Sequence, residues 1–262
     1  MTDWLAVCRA AVEDVRGALA ELSTHASRER VLGQGLGGDD TTAIDQAAED
    51  AIVARLRGLD VTIVSEEVGR MGDGKTVVVV DPIDGSVNAK RGIPFFSVSI
   101  AVAEGETMDD VTLGYVYDFG SGEEWTARRG EGAWLNGEPL GAERPKQQLE
   151  ILSFEATRTK LIARDAPKMV GVADRLRVMG SLALSLCHLA AGRVDGVCSL
   201  KPARSVDIAA AQLLVRELGL AIELFDDERA FGEAELDLEG RSRVAAAGTA
   251  ELCSRIGAAL GS

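Results

Sequence analysis

Two aspartates separated by two residues stand in the hexapeptide Asp81-Pro82-Ile83-Asp84-Gly85-Ser86, directly after the apolar run Val77 to Val80. An uninterrupted β-branched run is the pattern of a strand buried on both faces. Its carboxyl end opens onto the region where ligand sites form in α/β sheets. Pro82 stiffens the turn, and Gly85 lets the backbone come close to a ligand. If a short helix begins at Gly85, the amides of Gly85 and Ser86 face an anion such as phosphate. The same six residues also suit a tight polar turn capped by two aspartates, and taken alone they do not choose between the two. Three further acids occupy comparable places: Glu66 in Ser65-Glu66-Glu67, Asp45 in Thr42-Ala43-Ile44-Asp45, and Asp207 in Arg204-Ser205-Val206-Asp207. Glu66 ends a short β-type run, whereas Asp45 and Asp207 open helical ones. Each has a structural reading too, since helix dipoles favour acids in a first turn and Glu66 could be solvated.

Composition leaves the chemistry to these carboxylates. The chain has 262 residues and a net charge of −14, a poor electrostatic match for nucleic acid or an anionic membrane. Its nearly uncharged apolar stretch Ile93 to Ala103 is too short to span a bilayer. Asp3, Glu13 and Asp14 interrupt what could have been a leader, so a cytoplasmic protein is expected. Cys8, Cys187, Cys198 and Cys253 have neither zinc-ligand nor disulfide-framework spacing. His25 and His188 are isolated, and His188 falls in an apolar helical run where packing is the expected role.

The elements that must position the acids can be read from periodicity. Helices are expected over Asp3–Leu22, from the Asp39–Thr42 cap candidates to Leu56, over Leu182–Ala191 and Ile208–Leu218, and in the tail from Thr249 to Leu260. Strands are expected at Val61–Val64, Thr76–Val80, Phe95–Ala103, Thr112–Tyr117, Glu124–Ala127, Ile151–Phe154 and Val194–Cys198. Asn136-Gly137 is a hairpin signal, and Gly33 to Gly38 a flexible loop. Near Arg144 the pattern changes toward alternating strand and helix. This gives an α+β half over 1–145 and an α/β half over 146–262, packed as one body.

In this order, Asp45, Glu66-Glu67, the Asp81–Ser86 box and Asp207 before Ile208-Ala209-Ala210-Ala211 resemble a known signature. It is that of the magnesium-dependent, lithium-sensitive phosphatases of the inositol monophosphatase and fructose-1,6-bisphosphatase superfamily. The resemblance runs from about residue 30 to 220. Asn88-Ala89, Gly92 to Ala101 and Gly180-Ser181-Leu182-Ala183-Leu184 lean toward the archaeal-type branch, which acts on both inositol-1-phosphate and fructose-1,6-bisphosphate. The resemblance implies a mixed α/β, layered α-β-α-β-α sandwich of the sugar phosphatase type and a homodimer. The N-terminal half then carries most metal ligands, and the C-terminal half carries the last ligand and the substrate contacts.

Residue by residue, the resemblance implies that Glu66, Asp81 and the Ile83 carbonyl hold one Mg²⁺. Asp81, Asp84 and Asp207 hold a second, and Glu66 helps to place a third; Mn²⁺ is the substitute. Asp45 and the Ser86 hydroxyl orient the attacking water, and Glu66 is catalytic through its ion. Gly85 and Ser86 bind the phosphate, with Asp84 and Ser181 beside it. Lys201, then Arg204, stand in for a substrate-contacting arginine. The chain departs from the family in carrying Ser86 for threonine and no lysine in Gly38-Asp39-Asp40-Thr41-Thr42, and it has Val206 where animal-type members carry tryptophan. Independently of any family, carboxylates about 4 Å apart repel by roughly 4 kcal/mol at an effective dielectric of 20. Gathering them needs protons or divalent cations, and an all-oxygen donor set selects hard ions. The expected activity is hydrolysis of a small sugar or polyol phosphate. An adenosine 3′,5′-bisphosphate nucleotidase and a regulatory protein that has lost its chemistry are the alternatives.

Overall fold

Helix α1 (Trp4–Glu21) begins where the Asp3 carboxylate accepts a hydrogen bond from the Ala6 amide at 3.1 Å. It buries Cys8, Ala11, Val12 and Val15, the i, i+3, i+4, i+7 stripe of a one-sided helix. The computed structural model describes residues 2–34, 40–156 and 158–261. Most of the expected Gly33–Gly38 loop lies outside the described residues. A short helix α2 (His25–Arg28) and the ribbon β1 (Val31–Gln34) and β2 (Asp40–Thr42) lead into α3 (Ala43–Leu56).

An eight-stranded sheet follows: β3 (Val61–Ser65), β4 (Gly69–Met71), β5 (Thr76–Asp84), β6 (Ser97–Ala103), β7 (Val111–Asp118), β8 (Glu124–Arg128), β9 (Gly132–Leu135) and β10 (Glu138–Pro139). Its order is β10-β9-β8-β7-β6-β5-β3-β4. The β3–β5 pair is parallel and the other neighbours are antiparallel. Between β9 and β10, Asn136 and Gly137 both take positive φ, 52° and 81°, as a tight hairpin turn requires. Helix α4 (Ser86–Arg91) leaves the end of β5.

The second half builds a five-stranded sheet from β11 (Ile151–Glu155), β12 (Arg175–Arg177), β13 (Gly196–Ser199), β14 (Ala221–Leu224) and β15 (Val244–Ala247), ordered β12-β11-β13-β15-β14. Its helices are α5 (Thr159–Asp165), α6 (Leu182–Ala190), α7 (Ser205–Glu217) and α8 (Ala250–Gly261).

Side-chain alternation sorts these elements into layers. Val78 and Val80 of β5 pack with α1 and α3, while Val77 and Val79 face α6 and α7. The same two helices meet Val197, Val244 and Ala246 of the second sheet. The far face of that sheet, with Leu152, Phe154 and Ala245, covers α8 through Leu252, Ile256 and Leu260. The sequence of layers is α-β-α-β-α. Close approach of α7 to the large sheet requires Gly114 on β7, where a Cβ would lie 2.3 Å from the Ala210 carbonyl oxygen. Enclosed between two sheets, α6 is apolar on most of its circumference. On it, His188 packs against Phe95 and Trp125, with ring centroids 5.6 and 5.8 Å away, and burial pulls its pKa down. All four cysteines are buried free thiols. Among the described residues no helix is long and apolar enough to cross a membrane.

Candidate active site

The acids sit at the ends of elements that the layers bring to one edge. Asp45 occupies the first turn of α3, where its Oδ2 accepts from the Thr42 amide at 3.1 Å and the Thr42 hydroxyl at 2.5 Å. Lys90 of α4 places its Nζ 3.3 Å from the same oxygen. Glu66 follows β3, whose last residue, Ser65, is tied to Glu49 of α3 by a 2.6 Å hydrogen bond. Asp81 lies near the end of β5, with Oδ1 accepting from the Ile83 amide at 3.1 Å. Asp207 lies in the first turn of α7 and accepts from the Arg204 amide at 2.7 Å.

Between Asp81 and Asp84 the pairing with β6 slips: partners Ser99 and Ser97 are two residues apart where β5 advances by three. Pro82 has no amide to give to the ladder, and a bulge there turns the following side chain. Asp84 is thereby directed at the start of α6, where its Oδ2 accepts from the Ser181 hydroxyl at 2.5 Å and the Ala183 amide at 2.7 Å. Gly85 then takes φ +89°, and a Cβ on it would crowd the carbonyls of Phe95 at 3.0 Å and Gly180 at 3.1 Å.

Glu66, Asp81 and Asp207 each place one carboxylate oxygen within 4.8 Å of the others, two from one half of the chain and one from the other. Burial first, and then the neighbouring acids, push the Asp81 carboxyl well above the carboxylate range. Burial likewise raises Glu66, against the opposing charge of Arg204. Asp84 is pushed up to about 7, mostly by burial. Carboxylates packed this closely without histidine or cysteine suit a hard divalent cation, and the donor set present fits one.

These acids line a cavity of about 560 Å³ that also includes Asp45, Ile83, Asp84, Gly85, Ser86, Lys201 and Arg204. The structure therefore brings together every candidate catalytic, metal-ligating or substrate-binding residue named from the sequence except Ser181. Ser181 is buried behind Asp84, with its hydroxyl donated to that carboxylate and accepting from the Leu184 amide. Arg204 is placed differently from its expected role at a substrate. It is buried, with Nη2 at 2.5 Å from Glu66 Oε1 and 3.5 Å from Asp207 Oδ1.

Lys90, Glu155, Arg158 and Arg241 are charged lining residues that were not anticipated. Lys90 could have been found, because it lies one helical turn beyond Ser86 on the helix that the aspartate box opens. Glu155 ends β11 as Glu66 ends β3. Its carboxylate accepts from the Gly180 amide at 2.8 Å and the hydroxyls of Ser153 and Ser185 at 2.7 and 2.9 Å. Arg158 and Arg241 carry no sequence signal beyond their charge.

The Inositol monophosphatase family profile matches residues 3–259. The chain belongs to that family. It is 34% identical over 270 residues to a fructose-1,6-bisphosphatase/inositol-1-monophosphatase of Methanothermobacter thermautotrophicus, covering 97% of this chain and 95% of the relative. It is 40% identical over 193 residues to the Nus factor SuhB of Pasteurella multocida, covering 69% of this chain and 70% of that one. Among solved structures, the MJ0109 gene product, an inositol monophosphatase-fructose 1,6 bisphosphatase, superposes with a TM-score of 0.85 at 29% identity, covering 98% of this chain and all of the other. Membership makes the protein a metal-dependent phosphoric monoester hydrolase with the layered fold expected from its sequence.

Proposed function

We propose that the protein hydrolyses a small sugar or polyol phosphate, fructose-1,6-bisphosphate or inositol-1-phosphate, with Mg²⁺ as its cation and Mn²⁺ as substitute. The convergence of Glu66, Asp81 and Asp207 on one cavity carries this reading. The Ile83 carbonyl and Asp84, at the edge of the same cluster, would complete the oxygen donors. A divalent cation held there supplies the charge that acidifies a water and neutralises the leaving oxygen.

The chain's own groups do the rest. Asp45 has its Oδ2 committed to Thr42 and Lys90, and its Oδ1 would accept a hydrogen bond from the attacking water. Ser86 offers a hydroxyl at the start of α4 on the cavity wall. Exposed Lys201, Arg158 and Arg241 supply positive charge at the rim, which a protein of net charge −14 needs in order to admit a phosphate dianion. Among the described residues lining the cavity there is no aromatic side chain, which favours a sugar or polyol over a nucleotide base that would need stacking. The regulatory alternative is disfavoured because every carboxylate position is filled. A cytoplasmic homodimer is the accompanying assembly proposed.

A panel of fructose-1,6-bisphosphate, both inositol-1-phosphate enantiomers and adenosine 3′,5′-bisphosphate, assayed for phosphate release with Mg²⁺ and with EDTA, tests the reading. Mg²⁺-dependent turnover of a sugar or polyol phosphate is expected. Preference for the nucleotide, or undiminished turnover by Asp84→Asn, overturns it.

A further inference from the structure

Arg204 is the cation that faces the acid cluster from within. Its side chain is 5% exposed, and its Nη2 spans Glu66 and Asp207, two of the three converging carboxylates. Its Nη1 is buried and has no hydrogen-bond partner among the described residues. A guanidinium placed for its own hydrogen bonds fills its fork, commonly in a bidentate pair with one carboxylate. Here one nitrogen serves two acids while the other serves none, which is the arrangement that attraction to a charge cluster selects. The backbone reinforces it: the Arg204 amide donates to Asp207 Oδ2, so the cation and one acid are carried by the same turn of chain.

We infer that Arg204 is a resident counter-ion, whose guanidinium holds the metal-free carboxylates together and competes with an incoming divalent cation for Glu66 and Asp207. The inference rests on the proposed reading of the acid cluster as a cation site. Its basis is that the same lone pairs cannot serve both partners. Nη2 occupies Glu66 Oε1 at hydrogen-bonding distance, and a cation bound by that oxygen brings two positive charges against the guanidinium. Removing the arginine therefore has opposite effects on the two states. The metal-free protein loses the counter-charge that Arg204 supplies to Glu66 and Asp207, while the cation gains a site free of that rival. An arginine that merely shaped the cavity wall would, once removed, weaken both states together.

The test is calorimetric titration of the metal-free protein with MgCl₂, alongside its melting temperature in EDTA, for wild type, Arg204→Met and Arg204→Lys. Arg204→Met is expected to bind Mg²⁺ about tenfold more tightly while melting earlier without metal. Arg204→Lys, which keeps the charge on a different head, falls between. Unchanged or weaker Mg²⁺ binding by Arg204→Met overturns the inference and leaves the site itself standing, because wild type still binds. Absence of Mg²⁺ binding by wild type overturns both. Should Arg204→Met fail to fold, arginine side-chain nitrogen spectra of wild type decide the matter. A guanidinium that Mg²⁺ releases into faster rotation supports displacement, and one left unchanged overturns it.

Discussion

Asp81 is nearly inaccessible to solvent, and its charge is opposed by burial and by Glu66, Asp84 and Asp207. Its cost to the metal-free fold is the counterpart of its use to a cation. Asp81→Asn is expected to raise the melting temperature in EDTA by roughly 2–4 °C, about 1 kcal/mol for a chain of this size. The same change should reduce Mg²⁺-dependent turnover by more than the roughly 100-fold typical of outer-shell changes around a metal. Thermal scans and initial rates on one preparation check both. Glu49 is a second buried acid, outside the cavity lining and hydrogen-bonded to Ser65, with its carboxyl pushed up to about 7 from 4.5, chiefly by burial. A raised carboxyl binds its proton more tightly folded than unfolded, so the stability it contributes is present below pH about 4.5 and lost as pH rises to about 7. Glu49→Gln should flatten the decline in stability across that window. It should also leave the protein more stable than wild type at pH 8, by an amount on the order of 3 kcal/mol. Urea titrations at pH 5 and pH 8 measure the difference.

At the scale of elements, the position of Asp207 depends on how closely α7 lies on β7. Gly114→Ala forces a methyl against the Ala210 carbonyl, where it would stand 2.3 Å away. Overpacking of this kind costs about 1–3 kcal/mol, and displacing α7 moves Asp207 relative to Asp81. The expected outcome is a lower melting temperature together with weaker Mg²⁺ binding, measured by calorimetry. A stability loss with unchanged Mg²⁺ binding would uncouple the helix from the site. Helices and strands were legible because their periodicities are local: the apolar stripe of α1, the β-branched run of β5, the Asn136-Gly137 turn. The acids were legible because each ends or begins an element. The bulge at Pro82-Ile83 was not, since it appears only in the register against β6, and with it the turning of Asp84 toward Ser181. Nor could the sequence reveal that Arg204 points inward at Glu66. That contact depends on how two halves of the chain are stacked, and a cation in a loop reads as surface.

For the molecule as a whole, a divalent cation held by the proposed cluster would bind the folded protein and not the unfolded chain, which does not assemble that cluster. At a free Mg²⁺ concentration of about 100 times its dissociation constant, linkage adds about 2.7 kcal/mol to stability, or roughly 5–10 °C in melting temperature. Scanning calorimetry over a Mg²⁺ series should trace that rise. A melting temperature indifferent to Mg²⁺ would argue against a divalent site. The layers also carry an internal set of reporters. Cys8 belongs to the core under α1, Cys187 to the one between the sheets, and Cys198 and Cys253 to the one beneath α8, all free and all shielded from solvent. An alkylating reagent can reach each thiol only when its own compartment opens. The order in which mass spectrometry finds them tagged therefore reads out which slab of the sandwich loosens first, without a single engineered label.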